Sequence, residues 1–167
     1  KGQRIFYTYT AIPQSIGADS IPYITIMQVN KVLTKEPVFV EDNDAKDYGT
    51  DPIEISGQSI SKAYLNLRYT FLNGGNHLIP HSISLLIAKD AQPDARGYLS
   101  AELRHDAADD LQLNANSGYV SFTLENMPGF KEGTLKGFKI KTKTIKNETD
   151  IVEVTMNNNR KSMNFNI

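Results

Sequence analysis

The stretch LRHDAADD, Leu103 to Asp110, places one of the chain's three histidines, an arginine and three aspartates within eight residues. Imidazole and carboxylate together can bind a divalent cation or move a proton. Binding a cation requires convergence, because metal ligands must meet about 2.0–2.6 Å from the ion. The flanking pattern argues against convergence of the whole group. If Ala101 to Asp106 is a strand, His105 shares the face of Ala101 and Leu103, and Arg104 and Asp106 take the opposite face. Asp106, Asp109 and Asp110 could still meet in the following loop as a weak calcium site, although the glycine and distal glutamate of an EF-hand loop are missing. The plainer reading is preferred here. The stretch ends a core strand, His105 holds a polar contact inside, and the aspartates stand in solvent.

His77 and His81 lie in NHLIPHSISLL. Their spacing is that of the two histidines on a zinc-binding helix, but Leu78 stands where that motif has glutamate, and Pro80 opposes a helix. On a strand, His81 has the parity of Ile83, Leu85 and Ile87, so it faces the core. It would meet His105 if their strands were neighbours. Such a pair could hold a metal ion, or be two hydrogen-bonded structural histidines, which is the commoner case.

Other chemistries find less support. No Gly-x-Ser-x-Gly elbow occurs, and SGQSIS (56–61) has no partner base in view. The absence of cysteine removes disulfides, thiolate nucleophiles and cysteine-ligated zinc together. Lys136, Lys139, Lys141, Lys143 and Lys146 alternate through GTLKGFKIKTKTIK. Such a ladder usually keeps a sheet soluble and blocks edge pairing; the sharper reading is contact with an anionic surface or polysaccharide. Tyr64 and Tyr98 have polar-face parity and could stack on a sugar or a protein.

The elements that must position these residues are strands. AYLNLRYTF alternates Ala63, Leu65, Leu67, Tyr69 and Phe71 against Asn66, Arg68 and Thr70, and YVSFTLE and FKIKTKT do the same. A period of two marks strands with one face on a core. NGGN (73–76) reads as a hairpin, and 91–97, 114–118, 127–133 and 157–161 read as loops. A short helical turn near VNKVLTKE is allowed. The fold class that follows is all-β, an antiparallel sandwich or barrel. At 167 residues, 40% hydrophobic and 22% charged, the chain suits one medium domain or two small ones. A net charge of −1 speaks against a nucleic-acid partner. No run approaches the roughly 18 apolar residues of a membrane helix. The chain opens KGQRIFYTYTAI, without Met and almost at once in strand pattern, which resembles a cut start downstream of an export signal or lipid anchor.

Several segments, taken in order, carry a resemblance. GQRIFYTYTAI, VNKVLTKEPVFV, YGTDPIEI, AYLNLRYTFLNGGN, HSISLLI and LRHDAADD resemble the NigD-like proteins, over residues 2 to about 125. These are exported proteins, typically lipoproteins, of Bacteroides-type bacteria, and their name comes from a bacteriocin-associated gene cluster. EDNDAKDYGTDP, Glu41 to Pro52, is acidic, apolar-poor and ends in Gly and Pro, which marks a linker at 41–52; the resemblance implies a partial OB-like domain before it, at 1–40, and a C-terminal β-sandwich after it, at 53–167. It puts His81 and His105 at matching family positions, and it makes Asp19-Ser20-Ile21 a possible O-glycosylation motif with Ser20 as acceptor. It implies location in the periplasm or at the cell surface, with a membrane tie only through an upstream lipid anchor.

The expected function is that of a non-enzymatic envelope binding or interaction protein, for which the family's name suggests a link to bacteriocin immunity. Its partner would be an envelope protein or glycan, and no cofactor is implied. Two alternatives stand beside it. One is a metal-binding module or metal-dependent enzyme using His81 and His105 with nearby aspartates. The other is a structural subunit of an envelope assembly.

Overall fold

The computed structural model describes residues 4–16, 22–41, 48–76 and 78–156. Ser20, His77 and the tail from 157 onward lie outside the described residues. The secondary structure is β throughout: β1 (Ile5–Ile16), β2 (Pro22–Lys31), β3 (Leu33–Lys35), β4 (Val38–Val40), β5 (Ile53–Ser61), β6 (Tyr64–Asn73), β7 (Ser82–Ala88), β8 (Tyr98–Asp106), β9 (Asn114–Thr123), β10 (Gly137–Lys143) and β11 (Thr149–Thr155). The helical turn expected near VNKVLTKE is instead the end of β2 followed by β3. Val29, Val32 and Thr34 are β-branched, which disfavours a helix there and suits a strand.

The chain divides into two compact units between Thr34 and Lys35. The first is a long antiparallel hairpin, β1 with β2. Several of its apolar side chains, Tyr9, Tyr23 and Met27 among them, are exposed. The second unit is a sandwich of two sheets. One runs β11-β10-β8-β7-β4, and the other runs β3-β9-β6-β5, with β3 spanning the division.

The sandwich starts earlier than a linker at 41–52 would allow. Val38–Val40 already pairs in parallel with Leu86–Ala88. Residues 48–52 are not a tether either. The Asp51 amide donates to the His105 carbonyl at 3.0 Å, and Asp51 Oδ2 accepts from the Ala107 amide at 2.8 Å. The acidic, apolar-poor composition that marks 41–52 as a linker does not keep Asp51 off the fold. Its carboxylate is used for a backbone contact instead.

The core follows the alternation. Leu65, Leu67, Val120 and Phe122 of one sheet are buried in the same cluster as Leu85, Leu103, Phe138 and Ile140 of the other. Each such side chain contributes about 1.5–3 kcal/mol by leaving water. Most pairings are antiparallel, but β8 with β10 and β4 with β7 are parallel.

NGGN does not close a hairpin. Both edges of β6 are already taken, by β5 and β9, so the chain leaves the four-stranded sheet after Asn73 and crosses to β7 in the other. A tight hairpin does form at Lys62-Ala63, where Ser61 pairs with Tyr64 and Lys62 takes φ 53°. Nothing in Lys-Ala announces a turn, because neither residue favours positive φ.

One glycine is fixed by close approach. Gly49 has φ +70°, and a Cβ there would sit 2.4 Å from the His105 carbonyl oxygen and 2.6 Å from the Asp106 Cα. Both obstacles are backbone, so they cannot swing aside. Gly49→Ala is expected to cost about 1–3 kcal/mol in chemical denaturation. A stability equal to wild type would show that the 49–52 segment is not held against β8.

Candidate functional site

His105 is the last residue but one of β8, and its inward parity holds: the residue is 1% exposed. β7 and β8 are antiparallel neighbours with Ile83 opposite His105. His81, two residues before Ile83, therefore falls on the same face, and the two imidazoles meet. His81 Nδ1 lies 2.9 Å from His105 Nε2. At its far side His105 Nδ1 is 3.1 Å from the Pro52 carbonyl oxygen. His81 Nε2 lies 3.1 Å from Asp110 Oδ2. Asp110 in turn accepts from the Gly74 amide at 2.8 Å and from its neighbour Leu111 at 2.9 Å. Phe71 packs edge-on to both rings, with centroids 5.1 Å from His81 and 5.4 Å from His105.

Of the five residues in the candidate cluster, the fold unites His81, His105 and Asp110. Asp106 turns away, and its Oδ1 accepts from the Ala108 amide. Asp109 is exposed, with φ 61°. The expectation that all three aspartates stand in solvent fails at Asp110, which is 9% exposed. The turn from Ala107 swings Asp110 back under the sandwich end, a reversal that alternation cannot foretell. Sequence reading also missed Pro52, Phe71 and Gly74. The turn pattern of YGTDP and the glycines after Phe71 signalled loops, but not which carbonyl or amide would be used.

Proton counting settles how the chain of contacts is wired. The Pro52 carbonyl can only accept, so His105 Nδ1 donates. The Gly74 amide, donating to Asp110, holds its carboxyl below the ordinary carboxylate range against the opposing effect of burial, and His81 adds to it. Ionised Asp110 also only accepts. Making all three contacts requires three N–H groups on two rings, hence one imidazolium. Burial holds the His105 imidazole below its usual value, against the pull of the Pro52 carbonyl. His105 is therefore the ring that accepts at the shared contact, through Nε2, while its Nδ1 donates to the Pro52 carbonyl.

This wiring leaves little for external chemistry. Both nitrogens of both rings are engaged. Among the described residues no hydroxyl joins these contacts; the buried Thr142 hydroxyl donates to the Ile53 carbonyl instead. A separation of 2.9 Å between imidazole nitrogens is a hydrogen bond. Among the described residues no group of three His, Cys, Asp or Glu side chains is arranged to hold a metal ion.

The lysine ladder lies on the other face of the five-stranded sheet. Lys139 pairs with Asp94 at 2.6 Å, Lys141 with Glu102 at 3.4 Å, and Lys143 donates to the Thr50 carbonyl at 3.1 Å. Lys136 and Lys146 sit outside β10, in the loops before and after it. A groove of about 500 Å³ beside the ladder includes Leu86, Glu102, Arg104, Lys139 and Lys141, and contains neither His81 nor His105. Tyr98 is covered by Arg96, 4.6 Å above its ring, and its hydroxyl bonds Thr155 at 2.7 Å. It offers no free ring for stacking.

Comparison with known proteins follows the same outline. The NigD-like C-terminal beta sandwich domain matches residues 36–156. The chain belongs to this family. The matched span begins just after the division at Thr34/Lys35. Among solved structures, a protein of unknown function from Bacteroides vulgatus superposes with a TM-score of 0.73 at 20% identity, over 93% of this chain and 72% of that one. A protein from Parabacteroides distasonis described as toxin-related gives 0.67 at 28% identity, over 90% and 72%. A NigD-like immunity protein from Bacteroides caccae gives 0.65 at 18% identity, over 90% and 70%. No functionally curated protein matches the chain.

The NigD-like sandwich should respond to acid through this site. As pH falls below about 6.5, an unfolded imidazole takes up a proton that buried His105 refuses, so the unfolded state gains. Below about pH 4 the same holds for Asp110, whose contribution is present above the ordinary carboxylate value and lost as pH falls through the lowered one. Nitrogen-15 shifts are expected to show His105 as the neutral Nδ1–H tautomer at about pH 6.5; a doubly protonated ring would sink the wiring. Between about pH 7 and 5, wild type should lose stability relative to His105→Gln, and parallel profiles would remove His105 as the cause. His105→Ala should cost about 2–4 kcal/mol, because it opens a cavity and orphans the Pro52 carbonyl.

The same wiring predicts that zinc or calcium gives no thermal stabilisation over chelator. Stoichiometric metal with a stabilisation that vanishes in His105→Ala would overturn it.

Proposed function

We propose that this chain is part of an exported cell-envelope protein that works by holding a partner rather than by catalysis, in an immunity-type role. The observation that carries this reading is the closed wiring of His105, His81 and Asp110. The residues best suited to chemistry spend their donors and acceptors on the fold, and none is presented in a groove. Membership in the NigD-like family supports it, as do the immunity and toxin-related descriptions of structurally similar proteins. The partner class is an envelope protein or glycan. In this reading the N-terminal hairpin belongs to an OB-like unit, a fold that commonly serves as a binding platform.

The test is fractionation and in-cell crosslinking of the tagged native gene product. Recovery with the envelope, crosslinked to one reproducible partner, is expected. A cytosolic protein that crosslinks to nothing would overturn both the location and the mode of action.

A further inference from the structure

The groove on the outer face of the five-stranded sheet is untouched by the histidine wiring. It has a volume of about 500 Å³ and draws lining residues from every strand of that sheet, from Val40 of β4 to Ile151 of β11. Strands about 4.8 Å apart make such a span roughly 19 Å long. All of its lining belongs to the sandwich unit. Parity builds it. Ser100, Glu102 and Arg104 alternate with the buried Leu99, Ala101 and Leu103, and Lys139 and Lys141 alternate with Phe138 and Ile140. Leu86 shares this outer face and is almost fully covered, whereas Ile151 is 61% exposed.

The charged side chains of the groove are tied to one another. Arg104 Nε lies 3.1 Å from Glu102 Oε1, and Lys141 Nζ lies 3.4 Å from the same oxygen. Arg104 Nη1 also donates to the Gly49 carbonyl at 3.1 Å, and Lys139 pairs with Asp94 at 2.6 Å. Two cations thus share one carboxylate oxygen, which balances only half of their charge. The lining sets Arg104, Lys139 and Lys141 against the single carboxylate of Glu102, in a chain whose net charge is −1. An ammonium has three N–H donors and a guanidinium five, so these contacts leave donors for a ligand. Arg104 is held from two elements at once, and little ordering of it remains for binding to oppose.

The excess of cations calls for an anion, and Glu102 narrows which one. A ligand that presents only acceptors, such as a phosphate-bearing lipid surface or the side chains of an acidic peptide, is repelled by that carboxylate. A sugar acid brings both kinds of group: a carboxylate for the cations, and hydroxyl donors for Glu102 and Ser100. The C–H face of its ring matches the apolar Leu86 and Ile151. We propose that this groove binds a uronic-acid oligosaccharide lying across the strands, its carboxylates on Arg104, Lys139 and Lys141 and its hydroxyls on Glu102. The proposal rests on the reading of the chain as a partner-holding protein, and it names glycan as the partner held at this face.

The test uses the full chain and three acidic hexamers: of galacturonate, of mannuronate, and of glucuronate alternating with N-acetylglucosamine. A neutral galactose hexamer and a hexaglutamate peptide serve as contrasts. At least one uronate hexamer should bind and shift backbone amide signals at 100–104 and 139–141. The neutral hexamer and the peptide should bind at least about tenfold more weakly. Lys139→Gln/Lys141→Gln should weaken uronate binding at least about tenfold, with an unchanged thermal midpoint because exposed ion pairs add little stability. Lys131→Gln/Lys146→Gln makes the same charge change outside the groove and should leave binding as it is. The proposal is overturned if no uronate hexamer binds, if both double variants weaken binding alike, or if the shifted signals lie elsewhere. Equal binding of the peptide also overturns it and makes an acidic protein the occupant; equal binding of the neutral hexamer removes the role of charge. A groove that fails while wild type still crosslinks to its envelope partner leaves partner holding standing. A wild type that crosslinks to nothing overturns partner holding, whatever the hexamers do.

Discussion

The structure turns on the Pro52 carbonyl meeting the His105 ring. Pro52 immediately precedes β5 of one sheet, and His105 ends β8 of the other. Their hydrogen bond is thus a tie between sheets, made in a place from which water is excluded. A buried carbonyl left alone would cost more than the bond itself returns, so the imidazole is required once the chain takes this path. Satisfying its second nitrogen draws in His81 from the start of β7, and satisfying His81 draws in Asp110 and, through it, Gly74. One polar requirement thereby fixes the entry to β5 and β7 and the exits from β6 and β8. Phe71 packs edge-on against both rings.

That arrangement explains why a histidine-aspartate cluster need not announce chemistry. A general base must expose a lone pair, and a metal site must offer several at one point. Here each lone pair is matched to a proton, and the rings are packed against an aromatic side chain.

Strand alternation made much of this legible. The inward parity of Leu65, Leu67, Phe122, Phe138 and Ile140 followed from a period of two, because a sheet has only two faces. The same parity pointed His81 and His105 at the core and brought them together once their strands proved adjacent. Parity stops at strand ends. Asp110 lies past a turn, and its inward swing depends on backbone angles at Ala108 and Asp109 that composition does not encode. Asp51 lies in a segment whose acidic composition reads as a linker, and only the approach of Gly49 to β8 reveals what its carboxylate does. NGGN carried the right local signal, positive φ at Gly75, but the wrong inference. Whether a turn reverses a strand or carries it to another sheet depends on which edges are free, a property of the assembled sheet.

The order in which strands visit the two sheets has a consequence for how the sandwich comes apart. From β3 onward the chain alternates: β3, β5, β6 and β9 go to one sheet and β4, β7, β8, β10 and β11 to the other. No contiguous fragment that spares one sheet contains the whole of the other. The parallel pairing of β8 with β10 also closes only after β9 has been laid down across the interior. A cut in almost any loop therefore damages both layers at once, and partial unfolding has no intact sheet to retreat to. Such a unit opens all together or not at all, and its many sequence-distant pairings place it among slow-folding topologies.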